Sequence, residues 1–331
     1  MKIIQFIASQ GRGGAENIVA SLSNAMFQNG IDIELLLLPK SQLAHQIDPS
    51  IPITYLHFSS RFNPLLYLEL LWFFIRKKPH IIHTHSAKAT EMIYIICHFI
   101  SALHVATKHN ARKGIIFNKI CHVTAVSQDV QNSIVPARAT IIYNGITPKS
   151  IPPIAHPQEP FHIYAIGRLD KIKAYDLLIK ACSKLSFDFK LHIVGEGKER
   201  DALESLSQEL NITDKVIFEG FQSDIASVMN QSDLIVISSH SEGFSVVMVE
   251  ALFYAPVLIS TKVSGATEIL DEAFLMEQEN MQQKIEDIFK NYKTYHTQFD
   301  TLKQKHQPSL ILENIVLAYN TYYEKILKER S

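Results

Sequence analysis

Short runs of β-branched and aliphatic residues alternate with longer helix-period segments along most of the chain, and the alternation restarts once after a proline-rich stretch. Strands separated by helices are joined by crossovers, so this pattern predicts α/β architecture: parallel sheets with helices on both faces. In the first series Lys2–Ala8 reads as a buried strand. A glycine loop follows, then a helix from about Ala15 that Asn29-Gly30 terminates. Strands are expected at Asp32–Leu38, Ile53–His57, Ile81–His83, Val105–Lys108, Val123–Val126 and Ile141–Tyr143, and Ser127 is placed to cap the helix after Val126. Thr147–Pro160 holds five prolines and little apolar period, which marks a linker, with Asn144-Gly145 supplying a turn before it. The second series predicts strands at Phe161–Ile166, Leu191–Val194, Val216–Glu219, Leu234–Ile237 and Val257–Ser260. Between them lie helices at Ala174–Lys184, Lys198–Leu210, Ile225–Asn230 and Ser245–Tyr254, and Leu310–Lys328 forms a closing amphipathic helix.

Two such units fit the 331 residues at roughly 100–200 residues per domain. Boundaries are expected at 1–150 and 151–308, with 309–331 packing back toward the first domain. At 47% hydrophobic and 20% charged the chain is not a disordered one. No apolar stretch reaches the ~18–20 residues needed to span a bilayer, and the run Ile3–Ala8 is too short for a signal-peptide core. Cys97, Cys121 and Cys182 have neither the number nor the spacing of a disulfide framework or a zinc site. A reduced, cytoplasmic protein is expected. Its net charge of −1 hides an asymmetry, because residues 1–150 carry 14 Lys and Arg against 7 Asp and Glu. A basic half suits a polyanionic partner. Here Arg76, Lys77 and Lys78 end the aromatic-rich segment 64–75, and Lys108, Arg112, Lys113 and Lys119 follow. That composition favours an anionic membrane surface over nucleic acid, and a peripheral location on the inner face of the membrane. A buried core helix over 64–78 is the competing expectation.

Three segments carry chemistry. In Gly11-Arg12-Gly13-Gly14-Ala15-Glu16 the glycines follow a strand and open a helix, where main-chain amides can approach a phosphate. A dinucleotide fingerprint would want glycine at Glu16, although Asp32 stands where a ribose-binding acid would. In Gly167-Arg168-Leu169-Asp170-Lys171-Ile172-Lys173 the cations follow the first strand of the second unit and can neutralise a diphosphate. In Ser241-Glu242-Gly243-Phe244-Ser245-Val246-Val247-Met248-Val249-Glu250 two carboxylates flank a helix start. Eight residues rise about 12 Å along a helix, so the pair could reach both ends of a nucleotide-sugar held at the helix N-terminus. Glu250 stands in an otherwise apolar helix, where an unpartnered carboxylate is costly.

These residues resemble the retaining nucleotide-sugar glycosyltransferases of family 4, which have the GT-B fold of two Rossmann-like domains facing across a cleft. The resemblance runs from Gly11 to about Leu270. It rests on the glutamate pair, on Gly167-Arg168-Leu169 with Lys173, and on Val194-Gly195-Glu196-Gly197. Phe218-Glu219-Gly220-Phe221, Gly13-Gly14-Ala15-Glu16 and Tyr143-Asn144-Gly145-Ile146 add to it. Ala174 and Ala255 stand where the family usually has glycine.

The resemblance implies that residues 1–150 bind the acceptor and 151–308 the nucleotide-sugar, with Arg168 and Lys173 on the donor diphosphate and Glu250 on the ribose. Glu242 would lie beside the transferred sugar. Gly243, Phe244, Ser245 and Val246 would offer main-chain amides, and Gly13 and Gly14 would approach the phosphate. His109 aligns with the histidine that the family places by the reacting sugar; His85 and Glu16 are acceptor-side candidates. No Asp-x-Asp occurs, so no metal and no cofactor beyond the co-substrate are expected. The implied reaction moves a hexose to an acceptor hydroxyl with retention, in lipopolysaccharide, capsule or other envelope-glycan synthesis, the acceptor being a saccharide or lipid-linked. The alternatives are another sugar-nucleotide enzyme on the same fold, such as an epimerase, a non-catalytic nucleotide-sugar-binding subunit, or a nicotinamide-dependent enzyme.

Overall fold

The structure, a computed structural model, describes every residue except Arg12, Lys113, Pro136, Ala137, Arg138 and Ser331. Two compact units result: Met1–Ile146 with Leu310–Ser331, and Thr147–Ser309. In the first, β1 (Lys2–Ile7), α1 (Gly14–Gln28), β2 (Asp32–Leu37), β3 (Ile53–Tyr55), α2 (Pro64–Lys77), β4 (Ile81–His85) and α3 (Ser86–Ile96) come in turn. β5 (Leu103–Lys108), β6 (His122–Ala125), α4 (Gln128–Asn132) and β7 (Thr140–Ile141) complete it. The seven strands form one parallel sheet in the order β3-β2-β1-β4-β5-β6-β7.

Side chains alternate across a strand, so β1 feeds two cores. Ile3 and Ile7 face α1 and the C-terminal helix Leu312–Lys328, whereas Ile4 and Phe6 face α2 and α3. The C-terminal helix is thus a structural part of the first unit. It contributes Leu312, Ile315, Val316, Tyr319, Tyr323 and Ile326 to the core.

The second unit contains β8 (Phe161–Ile166), α5 (Tyr175–Cys182), β9 (Phe189–Val194), α6 (Arg200–Glu209), β10 (Val216–Gly220) and α7 (Ile225–Asn230). β11 (Leu234–Ile237), α8 (Val246–Tyr254), β12 (Leu258–Thr261), α9 (Ala266–Ile269) and β13 (Leu275–Met276) follow, then α10 (Met281–Lys290) and α11 (Tyr292–His306). Its six strands are parallel in the order β10-β9-β8-β11-β12-β13. Both units are Rossmann-like. Each sheet reverses direction of winding beside its first strand, between β1 and β4 and between β8 and β11, and the carboxyl edge at such a point is where this architecture holds ligands.

Several expectations need correction. Asp32 pairs with Lys2 at the amino edge of the sheet. It therefore lies at the opposite edge from the glycine loop and cannot share a ribose with it. Asn144-Gly145 makes no turn. Instead Ile146 exchanges main-chain hydrogen bonds with Leu310 and Leu312, and a Cβ on Gly145 would lie 2.6 Å from Ile315 and 2.8 Å from the Leu310 carbonyl. The proline stretch is no free linker either. The Lys149 amide donates to the Tyr254 hydroxyl, and Asn230 donates to the Pro152 carbonyl. Buried Asp233 accepts from the Gln158 and His162 amides and bonds the His156 ring.

The segment 64–78 is not wholly the buried core helix of the competing expectation. Leu66, Leu70, Phe73 and Phe74 of α2 are core, whereas Leu65, Leu68, Trp72 and Ile75 are each more than half exposed. Of the second basic group, Lys108 is buried and donates to Ser133, and Lys113 lies outside the described residues. Ser127 caps α4 by accepting from the Val130 amide. Residues 271–309, for which the sequence offered no element, contain β13, α10 and α11.

Candidate active site

The two loops that follow β8 and β9 are built against each other. The Gly167 amide bonds to the Val194 carbonyl, the Leu169 amide to Glu196, and the Glu199 amide to Leu169. Gly195 has φ +135°, and a Cβ there would lie 2.1 Å from the Gly167 carbonyl. Side chains are excluded because main chain passes main chain. That contact sends residues 168–173 out over the carboxyl edge.

Lys173 then meets the loop after β11. Its Nζ lies 2.7 Å from Glu242 Oε1, both side chains being largely buried. Ser239 donates to the same oxygen at 2.6 Å, and Ser238 donates to the Lys173 carbonyl. Arg168 is different: its side chain is 67% exposed and its Nε donates to Asp170. It is free to swing toward an anion, which Lys173 is not. One small cavity is lined by Lys173, Tyr175, Ser238, Ser239 and Ser245, among others. It brings the ammonium to the start of α8, where the Ser245 hydroxyl accepts from the Met248 amide. The amides of Val246 and Val247 have no intrahelical acceptor, so cation and helix N-terminus present positive potential at one place. Phe244 is buried, with a Cβ on Gly265 only 2.7 Å from its ring; it offers main chain only. The Tyr175 hydroxyl is buried and makes no hydrogen bond among the described residues.

Glu250, in the second turn of α8, has no hydrogen-bond partner among the described residues. Burial pushes its carboxyl up to about 7, and Lys149 opposes that shift. A carboxylate left this way favours any donor that arrives.

In the first unit Gly13 is the extended N-cap of α1 and Gly14 opens on empty space, with Glu16 in the first turn. His85 ends β4 and His109 follows β5, on neighbouring strands. His85 is fully buried, with Nε2 2.5 Å from Gln5 Oε1 and Nδ1 3.1 Å from His109 Nε2. Both its ring nitrogens are therefore engaged inside the unit, one of them with His109. The His109 ring is held down to about 4 by burial and is neutral at physiological pH.

Gln5, Ser239, Ser238 and Tyr175 escaped the sequence reading. A polar residue inside the buried strand Ile3–Ile7 was the available signal for Gln5. The two serines after β11 carried none, because their function depends on where Lys173 returns.

Two family models match the chain: Glycosyltransferase Family 4 over residues 12–150 and Glycosyl transferases group 1 over residues 147–304. A Campylobacter jejuni protein is 28% identical over 306 residues, covering 81% of this chain and 82% of its own. It is the N-acetylgalactosamine-N,N'-diacetylbacillosaminyl-diphospho-undecaprenol 4-alpha-N-acetylgalactosaminyltransferase. The lipopolysaccharide core biosynthesis glycosyltransferase LpsE of Rhizobium meliloti is 24% identical, covering 80% of each chain. Among solved structures, Anabaena HepE in complex with UDP and glucose superposes with a TM-score of 0.84 at 20% identity, over 97% of this chain and 98% of that one. The lipopolysaccharide outer core galactosyltransferase WaaB, in apo form, gives 0.77 at 17%, over 98% and 99%. These structures share the GT-B fold.

Proposed function

Because the chain belongs to the glycosyl transferases of group 1, with a family 4 N-terminal domain, we propose that it moves a hexose from a nucleoside-diphosphate sugar to an acceptor hydroxyl, with retention, in envelope-glycan synthesis. The observation that carries this reading is the grouping in the second unit of the Lys173–Glu242 pair, the amide-bearing start of α8 and Glu250, which has no hydrogen-bond partner among the described residues, at one carboxyl edge. Lys173, Arg168 and the α8 amides stabilise the leaving diphosphate. Glu250 accepts from the ribose hydroxyls. Glu242, tethered through Oε1, turns Oε2 toward a sugar hydroxyl. A carboxylate held by an ammonium and a serine is a poor nucleophile, which favours front-face substitution over double displacement. The C1–phosphate bond breaks, the acceptor oxygen bonds C1 on the same face, and its proton passes to the departing phosphate. Thermal shifts with nucleotides and nucleotide-sugars, followed by product NMR of the anomeric centre, test this. A wild-type protein that no nucleotide-sugar stabilises, and that transfers no sugar, overturns it.

The acceptor is proposed to be lipid-linked, and α2 the face that meets the anionic membrane. No described helix is long and apolar enough to cross a membrane. Leu65, Leu68, Trp72 and Ile75 form an exposed stripe beside Arg76 and Lys78, with the Arg76 guanidinium over the Trp72 ring. Apolar surface edged by cations is the composition of an interfacial helix. Sedimentation with anionic but not neutral vesicles, weakened by salt and lost in Leu68→Glu/Trp72→Glu, is the expected result; equal binding by the double variant contradicts it.

A further inference from the structure

We infer that Gln5 and His85 are positioning residues that fix the tautomer of His109, leaving its Nδ1 an unprotonated acceptor for a substrate hydroxyl. The hydroxyl is identified as a sugar's only through the function proposed above; the proton arrangement stands on geometry alone.

The direction of every bond in the chain follows from its buried end. Gln5 points its amide nitrogen at Met26 Sδ, 3.6 Å away. A thioether can only accept, so the amide oxygen is the atom facing His85 Nε2 at 2.5 Å. That oxygen also only accepts, and the His85 proton therefore sits on Nε2. Complete burial, with His83 and His109 close by, keeps His85 neutral. Its Nδ1 then carries a lone pair, and His109 Nε2 must donate across the 3.1 Å to it. With His109 neutral as well, its remaining nitrogen, Nδ1, is an acceptor. That atom is buried and has no partner among the described residues. The opposite arrangement would set the His85 Nε2 lone pair against the amide oxygen at 2.5 Å, a repulsive contact.

His83 shows what a purely structural histidine looks like in the same sheet. Both of its nitrogens are paired inside the core, with the Tyr323 hydroxyl and with Thr107 Oγ1, each at 2.6 Å. The Gln5–His85 chain ends instead on an unpaired atom at the carboxyl edge. Leaving a buried acceptor unpaired is a local cost to the fold. Ser86, directly after His85, holds a left-handed φ of 73°, a second local cost of the kind that accumulates where geometry is held for a ligand.

Nitrogen-15 NMR of the histidine side chains in the full-length protein is the direct test. His85 and His109 are expected to show the neutral Nε2–H pattern, and a wild-type His109 protonated at Nδ1 overturns the inference without any variant. In Gln5→Leu the His109 tautomers should mix and kcat should fall about 10–100-fold, with the donor KM unchanged. His85→Asn offers an amide oxygen where Nδ1 stood and should retain most of the rate, whereas His85→Leu should not. Equal loss in both, or wild-type kcat in Gln5→Leu, rejects a positioning role. Should the wild type transfer no sugar at all, the proposed function falls, and the NMR pattern still decides the tautomer.

Discussion

At the scale of one residue, the role proposed for Glu250 and the stability of the fold oppose each other. A carboxyl whose pKa is raised to about 7 from 4.5 keeps its proton in the folded state over a range where the unfolded chain has lost it. Folding stability from this group therefore falls as pH rises from about 4.5 to about 7, and stays lower above that. Glu250→Gln removes the cost of burying the charge. Its unfolding free energy at pH 8 should exceed that of wild type by an amount on the order of 1–3 kcal/mol, seen as a higher thermal midpoint, while nucleotide affinity falls. At pH 5 the stability gain should nearly vanish. Scanning calorimetry at the two pH values, with a nucleotide titration, checks both halves; a variant less stable at pH 8 refutes the assignment of a strained carboxyl. Glu250 was legible from its sequence as a charge in an apolar helix. The partners of Lys173 were not: Ser238 and Glu242 come to it across 65 and 69 residues, and only the return of β11 beside β8 makes them neighbours.

At the scale of elements, loops 167–173 and 195–197 act as one piece because their main chains touch. Gly195→Ala would put Cβ 2.1 Å from the Gly167 carbonyl in a backbone conformation that L-residues avoid. The expected cost is about 3 kcal/mol or more, with nucleotide affinity lost even where the protein remains folded, since Lys173 is displaced with its loop. Urea unfolding and nucleotide titration of the variant measure the two effects; unchanged values in both disprove the coupling. The glycine pattern was visible as a family motif, but its reason, one loop lying on another, was not. The same holds for α2. Its apolar run could be read as core or as surface, and the helix turns out to use alternate faces for each.

For the whole molecule, the first unit is completed by the last helix in the chain. Leu312, Ile315, Val316, Tyr319, Tyr323 and Ile326 are buried against α1 and β1. At about 1.5–3 kcal/mol for each large apolar side chain, their removal approaches the entire 5–15 kcal/mol stability of a typical domain. A chain ending at Ser309 should therefore lose the first unit's cooperative unfolding transition and become protease-sensitive over 1–146. Residues 147–309 should keep theirs. Two intact transitions in calorimetry would show that the helix is dispensable.

The amino-acid sequence by itself determined the parallel α/β class, the two-unit division and the residue types of the candidate site, because periodicity and local motifs are written within a few turns of chain. Tertiary structure alone decided which polar groups are spent and which remain. Asp32 went to the wrong edge of its sheet, and Lys108 was taken by Ser133. His85 was committed to Gln5, 80 residues away, leaving one His109 nitrogen without a partner among the described residues. Hydrogen-bond satisfaction depends on what packs from distant segments, and no local pattern encodes that.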